Sequence, residues 1–157
     1  MGSSGFGLID VTAMTEKSPG HASIPATATA TAVRAAAAAA AVLTVAAGLG
    51  VRAVSGGEVA KYAGDALYTV LIHTLVVFLV PRVRPLTAAG TALAVSWAVE
   101  LAQLTDLPAE LSRHSTAARL VLGSTFNAPD LFWYAVGAAL AWAVHTRLTA
   151  RRTLAHV

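Results

Sequence analysis

Glu100 and Gln103 stand three residues apart inside an apolar run. That spacing puts both on one face of a helix, and Ser96 extends the face one turn inward. A carboxylate within a membrane span costs about 2.5 to 3.5 kcal/mol or more unless it has a partner. Glu100 therefore implies either a site near the outer end of its span or a structural ion pair with Arg113 or Arg119. As a site residue it would serve as general acid or base, with Asp65 or Asp130 as its partner. Asp65, Thr69 and His73 form a second polar stripe at i, i+4 and i+8. The plain reading of His73 is a hydrogen bond to another helix. A metal site would need a third ligand that no spacing supplies, so neither metal nor cofactor is expected. Asp130, Tyr134 and Gly137 share a third face, with Asp130 placed to cap its helix. Gly137 and Ala141 form a small-xxx-small pair that invites close approach of another helix. Trp133, Tyr134 and Trp142 have the positions of aromatic-belt anchors.

These faces need long apolar helices to carry them. The chain has 157 residues, 56% hydrophobic and only 12% charged, with a mean hydropathy of +0.65. A soluble domain is about 25% charged, and a soluble fold this poor in charge cannot cover its surface. The composition suits lipid instead. The net charge is +3, but the basic residues sit in gaps between apolar runs, as membrane topology requires. A nucleic-acid binder would cluster them on one polar face, so no nucleic-acid partner is expected. With no cysteine, disulfides and thiolate chemistry are excluded. The abundance of alanine and the excess of arginine over lysine point to a GC-rich bacterial genome.

The runs predict an all-α integral membrane protein, a bundle of about four transmembrane helices. Residues 1–33 read as a disordered tail, 34–148 as the membrane domain and 149–157 as a basic C-terminal tail. The spans fall at about Ala35–Val54, Gly64–Val80, Pro85–Leu104 and Asp130–Leu148, each near the length a helix needs to cross hydrocarbon. Span one lacks the cleavage site of a signal peptide. Between spans three and four, Ser115 and Gly123 bound a short interfacial or re-entrant helix. Lys17, Arg34, Arg82, Arg84, Arg147, Arg151 and Arg152 oppose Arg52, Lys61, Arg113 and Arg119. That asymmetry predicts a multi-pass protein of the bacterial cytoplasmic (inner) membrane with both termini cytoplasmic.

The same residues carry a resemblance. Gly64-Asp65-x-x-Tyr68, Glu100-x-x-Gln103-Leu104, Pro108, Arg113, Arg119-Leu120-x-Leu122-Gly123, Phe126 and Asp130-x-x-x-Tyr134-x-x-Gly137 stand in the order of a small bacterial membrane family. It is known as domain of unknown function 2809, and the match runs from about Gly48 to Ala143. The pattern is also similar to VanZ-like proteins, which are linked to glycopeptide-antibiotic resistance. Tyr134 stands where those proteins usually place an Asn, so a resistance role is not carried over. Three readings of function stay open. One is an amphiphile-binding protein, taking a lipid or lipid-linked headgroup in an outer-leaflet polar pocket, with Asp65, Glu100, Gln103, Arg113, Arg119, Asp130 and Tyr134 as candidate binding residues. The second is a membrane-embedded enzyme using Glu100 with Asp65 or Asp130. The third is a structural or assembly subunit that meets a membrane-protein partner or a second copy of itself.

Overall fold

The computed structural model describes residues 26–105, 110, 115 and 125–154. They form four helices: α1 (Ala26–Val54), α2 (Gly57–Leu79), α3 (Pro85–Ala102) and α4 (Ala128–Leu154). No strand occurs among the described residues. Three helices are long and apolar enough to cross a membrane, over Thr29–Val54, Gly57–Leu79 and Pro85–Ala102. At 1.5 Å per residue α2 is about 35 Å long, enough for a hydrocarbon core of about 30 Å.

The breaks between helices have local causes. Gly57 has φ +62°, a left-handed conformation that costs glycine little, and it lets the chain reverse directly after Ser55. Pro81 lacks the N–H that would continue α2. Pro85 opens α3 at its first position, where its fixed φ suits a helix start.

Three boundaries differ from the sequence expectation. α1 begins at Ala26, inside the stretch expected to be a disordered tail. Alanine is the best helix former, and Thr31 donates its hydroxyl to the Thr27 carbonyl at 3.0 Å, so the intervening threonines do not break the turn. α2 begins at Gly57 rather than Gly64, because Lys61 finds carboxylate partners inside the bundle and need not mark a span end. α4 continues past Leu148 to Leu154, so the expected tail at 149 starts inside a helix. Arg113, Arg119 and the expected interfacial helix, apart from Ser115, lie outside the described residues.

Contacts fix an up-down-up-down order. Ala37 of α1 clusters with Val77 of α2 and Ala88 of α3, which brings the start of α1, the end of α2 and the start of α3 together. At the other end Lys61 of α2 meets Asp130 of α4. α2 is central and packs on all three other helices, while α3 also packs on α4. Small side chains make these approaches close: Ala88 and Ala92 are fully buried on α3, and Ala138 and Ala141 are buried on α4.

The first two turns of α4 hide their polarity inward, while Arg147 and Arg151 stand exposed toward its other end. Asp130 and Tyr134 are buried, while Phe132, Leu140, Trp142, Val144 and Leu148 are exposed. An average over all faces therefore understates how apolar its outer surface is.

Candidate functional site

The polar stripes meet at the end of the bundle formed by the start of α2, the end of α3 and the start of α4. Glu100 is 1% exposed. Its Oε1 accepts the backbone N–H of Asn127 at 2.7 Å, and its Oε2 accepts the Tyr134 hydroxyl at 3.0 Å. Asn127 immediately precedes α4, so its N–H is one of the donors a helix start leaves unpaired. In a capping box the third helical residue would return its carboxylate to that donor. Here that residue is Asp130, which instead accepts the Asn127 side-chain amide, and α3 supplies the missing acceptor through Glu100.

Asp130 also accepts from the Lys61 ammonium. Lys61 lies 3.7 Å from Asp65 on the next turn of α2, so a single cation faces two carboxylates. Asp65 Oδ2 is buried without a hydrogen bond, held by this ion pair alone. Lys61 remains half exposed, and Tyr62 beside it stacks on Trp133 with ring centroids 5.4 Å apart. Further in, the hydroxyls of Thr69 and Ser96 meet at 2.9 Å. Deeper still, His73 Nε2 and His145 Nδ1 are 3.2 Å apart, the helix-to-helix bond expected of His73.

The structure thus brings together Asp65, Glu100, Asp130 and Tyr134, four of the expected site residues. Tyr134 is a buried donor to Glu100 and not a belt anchor. Gln103 is half-buried at the end of α3, with its N–H bonded to the Glu100 carbonyl at 3.1 Å. The ion-pair partners expected of Glu100, Arg113 or Arg119, lie outside the described residues; the donors shown are Asn127 and Tyr134. Lys61 and Asn127 were not singled out as site residues. Their signals were present: Lys61 is at i, i+4 to Asp65, and Asn127 stands three residues before Asp130. Among the described residues no three His, Cys, Asp or Glu side chains gather as metal ligands.

A separate feature lies toward the opposite end. A groove-like cavity of about 250 Å³, open along one side, lies between α1, α2 and α4. Ala36, Ala40, Val70, Val77, Leu140 and Val144 line it, and His73, His145 and three threonines, Thr44, Thr74 and Thr149, are its polar residues. α1 and α4 stand on either side of α2 without packing closely on each other, so the space between them has an apolar floor. None of Glu100, Gln103, Asp130 or Tyr134 lines this cavity.

The architecture and the buried polar network define an α-helical protein of membrane-spanning type. The chain belongs to the family described as "Protein of unknown function (DUF2809)", whose model matches residues 54–138, more than half of the chain. The polar cluster falls within the matched residues; the α1 wall of the cavity and its α4 wall fall outside them. No curated protein and no solved structure matches the chain.

Proposed function

We propose that this protein binds an amphiphile within the membrane, with the Glu100 network holding the helix frame and the cavity between α1, α2 and α4 holding the apolar part of the ligand. The observation that carries this reading is the cavity: about 250 Å³, walled mostly by aliphatic side chains, with a histidine pair and three threonines as its polar residues. Ligand sites are typically such mostly apolar hollows with few polar groups. The polar end supports a frame role because its carboxylates are already engaged. Glu100 holds two donors, Asp130 holds Lys61 and Asn127, and Asp65 pairs with the same Lys61. In this reading α4 is a fourth span. The helix ends bearing Arg34, Arg82, Arg84, Arg147 and Arg151 face the cytoplasm of a bacterium, and the Lys61–Asp65–Asp130 edge faces the outer surface.

The test is recovery of ligand. Organic extraction of detergent-purified protein should yield an amphiphile in near-stoichiometric amount. Ala40→Phe, which places a ring in the cavity, should purify without it. Equal recovery from both proteins would contradict the reading.

A further inference from the structure

The cavity leads toward the basic end of the bundle. Its lining face on α1 runs through Ala37, and its face on α4 runs to Leu148 and Thr149. Arg34 stands three residues before Ala37, and Arg151 three residues after Leu148. Residues three apart share a helix face, so both arginines continue the cavity walls to the membrane surface from opposite sides. Arg34 Nε donates to the Phe78 carbonyl at 3.2 Å, which pins the guanidinium at the end of α2 and leaves its other N–H donors for a ligand. The carboxylates of the four helices, Glu58, Asp65, Glu100 and Asp130, all lie at the other end. The basic end is therefore not neutralised by any helix acid.

We infer that the cavity takes an anionic amphiphile, with one chain against α2 and the anionic headgroup between Arg34 and Arg151. The inference rests on the amphiphile reading and names its ligand class. The open-sided volume of about 250 Å³ is space for a length of one chain. Guanidinium groups suit phosphate and carboxylate oxygens alike, so the shared chemistry is a single negative headgroup on a chain. Arginine near a membrane surface is worth about 1 kcal/mol each toward anionic lipid, or about a fivefold gain in affinity per residue.

The experiment titrates the full protein, in uncharged detergent, with lysophosphatidylglycerol or lysophosphatidylcholine of the same chain length. Bound lipid is counted by native mass spectrometry. The wild type should bind one lysophosphatidylglycerol, roughly thirtyfold more tightly than lysophosphatidylcholine. Arg34→Gln with Arg151→Gln should erase that preference while the melting temperature in detergent stays near the wild-type value, which shows that the fold persists. Arg34→Lys with Arg151→Lys should keep most of it. Palmitate binding with the same arginine dependence would assign the site to carboxylates as well as phosphodiesters, and its absence would restrict it to phosphodiesters; both outcomes support an anionic head. Equal affinity for the two lysolipids in the wild type, or a preference that survives the Gln pair, would overturn the headgroup assignment and leave the cavity reading standing. If neither lysolipid binds, the amphiphile reading fails with it. A dimer that binds no lysolipid would instead put a second copy of the chain in the groove.

Discussion

Glu100 holds two donors that would otherwise be buried without an acceptor, the Asn127 N–H and the Tyr134 hydroxyl. Glu100→Gln keeps one acceptor oxygen for Asn127, and the new amide can donate to Tyr134 once its hydroxyl turns. Glu100→Leu keeps neither, at about 1 to 3 kcal/mol for each donor left unpaired. In detergent the melting temperatures should fall in the order wild type, Gln, Leu. A Gln variant that melts as early as the Leu variant would show that the charge itself holds the network together. The convergence of Asp65, Glu100 and Asp130 was legible in the sequence, because each carboxylate lies near one end of its apolar run and helix spacing fixes its face. The donors were not legible. Asn127 reads only as part of a helix start, and its bond to Glu100 exists because α3 ends beside the beginning of α4. His145 was not singled out, although it continues the Gly137–Ala141 face at i+4; its meaning depends on His73 lying opposite it, which needs the α2–α4 pairing to be known.

At the scale of elements, close approach of α2 and α4 depends on Gly137. A Cβ built there would stand 2.2 Å from the Ala66 carbonyl oxygen and 2.9 Å from its carbon. These are backbone atoms, so no side-chain rotation relieves the clash, and the helices must separate. Gly137→Ala should cost about 1 to 3 kcal/mol, and Gly137→Leu should cost more and lower membrane abundance. Thr69→Val is the contrast. It removes the bond to Ser96, but the Ser96 hydroxyl still donates to the Ala92 carbonyl at 3.0 Å. Interhelical hydrogen bonds in membranes average about 0.6 kcal/mol, so Thr69→Val should barely move the melting point. A larger loss for Thr69→Val than for Gly137→Ala would contradict packing as the main force between these helices. The small-xxx-small pair at Gly137 and Ala141 predicted this contact from the sequence, since the need for a missing side chain is local. The early starts of α1 and α2 were not predicted, because Thr31 and Lys61 read as polar interruptions until their partners are seen.

For the molecule as a whole, charge sets orientation and helix arrangement sets the cavity. The chain has no cysteine, so introduced thiols report cleanly. On intact cells an impermeant thiol reagent should label Ser115→Cys, and should reach Thr149→Cys only after permeabilisation. The reverse pattern would invert the proposed topology. The membrane class was legible from composition and run length. The cavity was not, because it arises where α1 and α4 do not pack closely on each other, and a missing close approach leaves no periodic trace in either helix. Its occupancy is the centre of the account, and photo-crosslinking tests it most directly. Purified protein in nanodiscs would be given a phospholipid carrying a diazirine along one acyl chain, irradiated and mapped by peptide mass spectrometry. Labelling should concentrate on Val70, Thr74 and Val77, which line the cavity, above Leu43, Leu49 and Phe132, which are 64% to 69% exposed on the outer surface. Labelling that simply follows exposure, with Leu43, Leu49 and Phe132 dominant and the cavity residues spared, would contradict it.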